Sequence, residues 1–116
     1  SLLERRFMRY CDLNEDILYW ASEELPVRYY NPLDKKYHRY FPDFVVKTVN
    51  NEKYMIEIKP SRQVAKPKPP KKKTKSYMRE SFEYIKNQAK WQAAKSYCDD
   101  KGMKFKLITE KDLGQY

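Results

Sequence analysis

Hydrophobic residues recur along this chain with two periods, one helical and one strand-like, and the changes of period mark the predicted elements. Apolar side chains at residues 2–13 follow helical spacing, and Asn14 is the predicted end of this first helix. Three later runs are rich in β-branched and aromatic residues between turn-prone segments. These runs predict strands at 27–30, 37–49 and 53–59.

The C-terminal half predicts one long helix and a last strand. The helix runs from Ser76, the predicted N-cap, to about Lys101, with Gly102 as its C-terminal stop. Its predicted apolar stripe comprises Phe82, Ile85, Ala89, Ala93 and Tyr97, widened by Trp91, Ala94 and Cys98. Residues 103–109 alternate as a strand at or near a sheet edge, and 109–112 predict a short last helix. A right-handed crossover through the long helix would make this last strand parallel to a neighbour.

Two segments have less regular patterns. Residues 17–21 are all apolar and fit either a short strand or a second helical turn. Residues 66–75 contain six lysines and three prolines and no apolar residue other than proline. Proline removes backbone donors and fixes φ, so this run predicts a mobile linker. We therefore predict a single domain, 1–116, with a flexible Lys/Pro-rich insertion at 61–76.

Composition narrows the class of protein. A net charge of +9 and a pI near 9.5 are typical of a protein that binds a polyanion. With two glycines, a glycine-rich phosphate loop is excluded. Cys11, Cys98 and His38 cannot assemble a zinc site of the usual spacing, and the cysteines are expected to stay reduced in a cytosolic compartment. No apolar run approaches the ~18 residues of a membrane span, and no signal peptide is visible.

Candidate chemistry lies in two neighbouring strand-like runs. Asp43 follows a proline in the first run, and Glu57 precedes Lys59 by two residues in the second. Side chains two residues apart share a strand face. Two fixed carboxylates suit Mg²⁺, and the lysine can steady or deprotonate a water that attacks a phosphate. The alternative to a metal site is that Asp43 is a turn residue and that Glu57 and Lys59 lie on an exposed strand face.

Strand register decides whether these three side chains can meet. A two-residue hairpin at 50–51 would place Asp43 on the face opposite Glu57. A three-residue turn at 50–52 would pair Asp43 with Lys59 and bring all three side chains to one face. The same register pairs Phe44 with Ile58 and Val46 with Ile56. We therefore predict an odd-length loop or a bulge between these strands.

Motifs along nearly the whole chain resemble the PD-(D/E)xK nuclease superfamily. They are Glu4, the run 38–44, the tetrad 57–60, and Lys90, Trp91, Ala94, Tyr97, Gly102, Phe105, Thr109 and Glu110. Within the superfamily they look like the head-completion nucleases of tailed phages and the endonucleases that cut transposon ends. The run 38–44 and the tetrad fit the phage group better.

The resemblance implies a fold and a site. The fold is an α/β restriction-endonuclease-like core with helix, three antiparallel strands, helix and strand in one mixed sheet flanked by helices. The implied Mg²⁺ ligands are Asp43, Glu57, the carbonyl of Ile58 and a third carboxylate, Glu4, and Mn²⁺ is expected to substitute. Lys59 is the implied catalytic lysine.

The implied activity is Mg²⁺-dependent cleavage of DNA as phage heads are completed. This places the protein in the cytoplasm of an infected cell or on the virion, with capsid or portal proteins as further partners and no membrane contact. Three alternatives stay open: a transposon-end endonuclease, a DNA-binding module that does not cut, and a structural head-completion factor.

Basic side chains near the implied site are candidates for phosphate contacts. They are Lys66, Lys68, Lys71, Lys72, Lys73, Lys75 and Lys90. A spacer role for the lysine run and a plain surface role for Lys90 are the alternatives. Tyr40, Tyr77 and Tyr84 are candidates for stacking on unpaired bases, with core packing as their default role.

Overall fold

A computed structural model describes residues 1–114, so the last two residues of the predicted domain lie outside the described part. The first helix, α1, spans Leu2–Leu13 as predicted and ends at Asn14. The later elements are β1 Ile17–Ser22, β2 Val27–Asn31, β3 Lys36–Tyr40, β4 Phe44–Thr48, β5 Lys53–Ile58, α2 Ser61–Val64, α3 Lys75–Lys101, β6 Lys104–Ile108 and α4 Glu110–Leu113.

The main sheet has four strands in the order β1-β4-β5-β6. Its first three strands are antiparallel, whereas β6 lies at an edge and runs parallel to β5, which confirms the predicted parallel pairing of the last strand. The ambiguous apolar segment 17–21 is therefore a strand, with an irregular register between Ile17 and Tyr19. A separate two-stranded sheet contains β2 and β3.

The predicted strand 37–49 is wrong as a single element. The chain leaves β3 at Tyr40 and enters β4 at Phe44, passing from the hairpin to the main sheet. Pro42 lies in this break, and its ring removes the backbone donor that a continuous ladder needs. The predicted strand at 27–30 is real, but it pairs with β3, so β1 takes its expected place in the main sheet.

The loop between β4 and β5 has the predicted odd length. The Thr48 N–H donates to the carbonyl of Glu52 at 2.9 Å, which leaves three residues, 49–51, in the loop. Asn51 adopts the left-handed conformation at φ 67°, which asparagine tolerates. The exact register predicted from a loop at 50–52 is wrong by two residues, because the loop is centred one position earlier. The observed pairs are Phe44 with Ile56 and Val46 with Tyr54, so the facing of every side chain is unchanged.

Each face of the main sheet packs on a different helix. On one face Phe44, Val46, Ile56 and Ile58 pack with Phe7 and Cys11 of α1 and with Leu113 of α4. On the other face Met55 packs with residues of the β2–β3 hairpin and of α3: Val27, Tyr29, Tyr40, Trp91, Ala94 and Cys98. Both cysteines are buried free thiols, as expected for apolar packing.

The long helix differs from its prediction at its start and in its buried face. Thr74, not Ser76, caps the N-terminus by accepting the Tyr77 N–H, and Gly102 ends the helix in the left-handed region as predicted. Phe82 and Ile85 of the predicted stripe are exposed, because α3 extends beyond the sheet. Its 27 residues span about 40 Å, whereas a five-residue strand covers about 17 Å. Its buried residues begin only at position 87: Asn87, Trp91, Ala94 and Cys98.

The Lys/Pro-rich insertion begins and ends in helical residues. Ser61–Val64 form α2, and Lys75 and Ser76 already belong to α3. Between them, residues 65–74 form neither helix nor strand. Within the described part of the chain, no helix is long and apolar enough to span a membrane.

Candidate active site

Asp43 and Glu57 meet at one end of the main sheet. Asp43 immediately precedes β4 and Glu57 is the second-to-last residue of β5, so the observed register continues to place them opposite each other. The backbone N–H of Ile58 donates to Oδ2 of Asp43 at 2.7 Å. Burial raises the pKa of Asp43 to about 8, assisted by a hydrogen bond with Glu57 and by the negative charge of Glu57. The site thus holds two carboxyl groups so close together that ionisation of one disfavours ionisation of the other.

Glu57 is held by a tryptophan. Its side chain is 7% exposed, and its Oε2 accepts the indole N–H of Trp91 at 3.0 Å. Trp91 was expected in the apolar stripe of α3 and is among the residues quoted for the family resemblance, but this role was not predicted. The available signal was chemical, because a buried indole N–H needs an acceptor. The indole N–H of Trp91 thus fixes one carboxylate oxygen of Glu57.

Glu4 reaches the same end of the sheet from α1. Its carboxylate accepts from the backbone of Ser1, and the Ser1 hydroxyl accepts the Glu4 N–H in return, a reciprocal cap that fixes the first turn. Partial burial opposes ionisation of Glu4, but hydrogen bonds with Asp43 and Ser1 and the N-terminal charge lower its pKa. Glu4, Asp43, Glu57, Ile58 and Lys59 all line one cavity of about 450 Å³.

Lys59 follows directly after β5. Contacts at residue 59 itself and at residue 61 fix the backbone here. The Lys59 N–H donates to the carbonyl of Ile108, which extends the parallel pairing with β6. Two residues on, the carboxylate of Glu110 accepts both the N–H and the hydroxyl of Ser61, at 3.0 and 2.8 Å. These hydrogen bonds lower the pKa of Glu110 and tie α2 to α4. Glu110 was quoted in the family resemblance but not predicted to position the lysine.

Tyr40 and Lys90 form the wall next to Glu57. The Tyr40 hydroxyl is buried beside the Glu57 carboxylate but makes no hydrogen bond of normal geometry, the one such side-chain atom among residues 1–114. Burial and the charges of Glu57 and Asp43 raise the Tyr40 pKa. The Lys90 ammonium lies 5.4 Å from the centre of the Tyr40 ring and 5.8 Å from that of Tyr29. Burial and the neighbouring charges of Lys86 and Lys59 lower its pKa, although Glu57 opposes this.

A larger groove of about 680 Å³ adjoins this cavity, and Lys59 and Gln63 line both. One wall is the segment 62–68 and the other is the N-terminal half of α3. Two of the seven basic residues predicted to contact phosphates, Lys66 and Lys68, line it together with Arg62 and Arg79. Lys71, Lys72, Lys73 and Lys75 are exposed but lie outside its lining, whereas Lys90 is half-buried beside Glu57. Of the predicted tyrosines, Tyr84 lines the groove, Tyr77 is half-buried outside it, and Tyr40 is in the core.

Comparison with known proteins identifies the family. The family described as TnsA-like endonuclease N terminal matches residues 14–110. The head completion nuclease of Enterobacteria phage T4 is 33% identical over 114 residues, which cover 95% of this chain and 76% of that protein. No solved structure matches.

The chain belongs to the TnsA-like endonuclease family. This confirms the relationship inferred from the motifs and the restriction-endonuclease-like fold. As a TnsA-like endonuclease domain the chain is a nuclease. Among residues 1–114, no three His, Cys, Asp or Glu side chains are arranged to enclose a metal ion by themselves. A cation here would need backbone, water or substrate oxygens besides the carboxylates.

The raised pKa of Asp43 predicts an unusual pH dependence of stability. The folded metal-free protein retains a proton on Asp43 up to about pH 8, whereas the unfolded chain releases it near the ordinary value of 3.8. The native state therefore binds more protons between these values, and the free energy of unfolding should fall as the pH rises from 5 to 8. Asp43→Asn should flatten this dependence. Urea unfolding in EDTA at pH 5 and 8 measures the free energy of unfolding of both proteins. An equal change between the two pH values for native protein and variant would contradict the prediction.

The unpartnered hydroxyl predicts that Tyr40→Phe stabilises the metal-free protein. A buried hydroxyl without a partner costs about 1–3 kcal/mol, and phenylalanine removes it without leaving a cavity. The free energy of unfolding in EDTA should rise by about 1 kcal/mol. Tyr29→Phe, at the neighbouring buried tyrosine, is the control and should give a smaller gain. A loss of stability for Tyr40→Phe would mean that the hydroxyl has a partner in solution.

Proposed function

We propose that this protein is a metal-dependent DNA endonuclease of the PD-(D/E)xK type. The observation that carries the proposal is the convergence of Asp43, Glu57, Glu4 and Lys59 on one cavity at the end of the sheet. Crowded carboxyl groups, among which Asp43 has a raised pKa, are complementary to a divalent cation, since its charge relieves their repulsion. Their oxygens are hard ligands, which suit Mg²⁺, and Mn²⁺ should substitute.

Asp43 and Glu57 would hold the cation, with the carbonyl of Ile58 as a further oxygen ligand and Glu4 as a direct or water-mediated one. A Mg²⁺ ion bound there supplies positive charge to the phosphate and lowers the pKa of a water. Trp91 keeps Glu57 oriented through its 3.0 Å hydrogen bond. A partner that fixes a metal ligand commonly changes affinity or activity by about 10–100-fold when removed.

Lys59 and Lys90 contribute the positive charge of the protein itself. Lys59 leads from β5 into the cavity, where its ammonium can orient the attacking water or stabilise the charge that develops on the phosphate. Lys90, held over the rings of Tyr29 and Tyr40, is positioned to contact the scissile phosphate. These proposed roles are the ones expected from the sequence.

The groove provides a path for the DNA backbone. Its lining carries five cationic side chains, namely Lys59, Arg62, Lys66, Lys68 and Arg79, against Glu80 and Glu83. Cations in a groove contact phosphates without reading sequence, so we expect binding to nonspecific DNA. The groove opens onto the carboxylate cavity through Lys59, and a strand lying in it would pass the proposed metal ligands.

The biological setting follows the T4 relative. That protein is named for head completion and a nuclease activity, and it aligns with 95% of this chain. We propose the same setting here, with DNA being packaged into phage heads as the substrate in the infected cell. Capsid or portal proteins are the proposed partners that would bring the nuclease to its site.

Glu57→Gln tests the metal site. Glutamine keeps the volume and an oxygen that can accept from Trp91, but it removes the ligand charge. Nicking of a supercoiled plasmid in Mg²⁺ should fall at least about 100-fold, and EDTA should abolish it in the native protein. The matched control is Glu52→Gln, an exposed carboxylate before the opposite end of β5. Undiminished nicking by Glu57→Gln would remove this residue from the site, and nicking in EDTA would remove the metal.

Two pairs of lysines test the groove. Replacing Lys66 and Lys68 with Gln removes two cations from its lining, whereas Lys71 and Lys72 lie outside it. The slope of log K for duplex DNA against log salt should fall by about 1.8 for the first pair if both contact phosphates. A smaller change is expected for the second pair. Fluorescence anisotropy in EDTA measures both, and equal effects would mean that the groove is not the path.

A further inference from the structure

The outer face of the β2–β3 hairpin is occupied by arginine and tyrosine. In β2 the buried residues Val27 and Tyr29 alternate with exposed Arg28 and Tyr30. The register pairs Arg28 with Arg39 and Tyr30 with Tyr37 directly across the two strands. These four residues, the arginine face, point away from the side of the hairpin that packs on α3.

Two like charges lie directly opposite each other on this face without neutralisation. Cross-strand like charges destabilise a hairpin. Neither Arg28 nor Arg39 forms an ion pair within residues 1–114. Asp34, the one acidic residue of the hairpin, is paired with His38 at 2.6 Å. The arginine face is therefore a preformed positive site with no anion of its own.

Aromatic rings hold both guanidinium groups in place. The Arg28 Cζ lies 4.1 Å from the centre of the Tyr37 ring, and Tyr37 packs edge-on against Tyr30 at 5.2 Å. The Arg39 Cζ lies 5.9 Å from the centre of the exposed Phe41 ring. An arginine on an aromatic ring keeps its N–H donors free for a planar anion, and a fixed side chain loses less entropy on binding. Phosphate oxygens match this fork of donors.

We propose that the arginine face is a phosphate clamp for DNA beside the cleaved bond. The inference rests on the proposed nuclease function and extends it to a second contact surface, separate from the groove. Arg39 precedes Asp43 by four residues, so the two lie at most about 14 Å apart. At 3.4 Å per nucleotide this corresponds to about four nucleotides of duplex. The clamp would contact the backbone within that distance of the cut.

DNA fits this face better than a protein partner does. Arginine and tyrosine are also common in protein interfaces. Residues 27–41, however, carry Arg28, Lys35, Lys36 and Arg39 against a single acidic residue that is already paired. One side of the Tyr37 ring is already covered by Arg28, so its surface is less available for apolar packing with a protein. An anionic backbone satisfies both arginines at once.

The double variant Arg28→Gln/Arg39→Gln tests the clamp. Its affinity for duplex DNA should fall in EDTA, and the slope of log K against log salt should fall by up to about 1.8. The matched control is Lys47→Gln/Lys53→Gln, which removes another directly opposed cation pair, at the end of the main sheet away from Asp43 and Glu57. The melting temperature of the arginine variant should change little, since removal of the repulsion offsets loss of the two ring contacts.

Hydroxyl-radical footprinting on a duplex with a defined cleavage site gives a second readout. Native protein should protect the backbone within about four nucleotides of the cut, and the arginine variant should lose that protection. An unchanged salt slope, or an effect equal to that of the lysine control, would overturn the clamp. The affinity measurement uses binding without Mg²⁺, so it stands if the native protein fails to cut. Absence of Mg²⁺-dependent nicking by the native protein would instead contradict the proposed function.

Discussion

Two carboxyl groups held against each other are the constraint on which the rest of this structure depends. Asp43 and Glu57 repel when both are ionised, and the fold keeps them together by giving each a fixed donor. The backbone N–H of Ile58 holds Asp43, and the indole of Trp91 holds Glu57. Ile58 belongs to the core on the α1 side of the sheet, and Trp91 to the core on the α3 side. Both cores are therefore needed to assemble one acidic end of the sheet.

The positive charge of the chain is arranged around this acidic end. Lys59 and Lys90 lie closest, and the groove and the arginine face carry cations further away. Positive charge around a small negative centre attracts a polyanion from a distance, while the negative centre itself attracts a cation. The net charge of +9 thus surrounds a small acidic cluster of opposite sign, and in the proposed function each sign would bind a different ligand.

Local sequence patterns were enough for the parts of the fold that local physics decides. The ends of α1, the glycine stop of α3 and the parity of the β4–β5 loop follow from caps, left-handed residues and alternation. The break at Pro42 was missed because both flanking segments have strand patterns, and pairing partners are chosen by tertiary structure. The buried face of α3 was misjudged because the reach of the sheet decides which turns are covered. The hydrogen bond from Trp91 to Glu57 joins positions 34 residues apart, beyond any local pattern.

The N-terminal turns of α3 extend beyond the sheet. The groove wall that they form is therefore less rigid than the neighbouring carboxylate cavity. These turns have no buried residue before Asn87, and Met78, Phe82 and Ile85 are exposed there. Few apolar contacts and exposed helical turns place a segment at the low-stability end of a protein, where local opening and fast amide exchange occur. The carboxylates, in contrast, are fixed by the packed core. The groove thus has one compliant wall beside rigidly held carboxylates, and in the proposed function DNA of varied shape would enter it without disturbing their geometry.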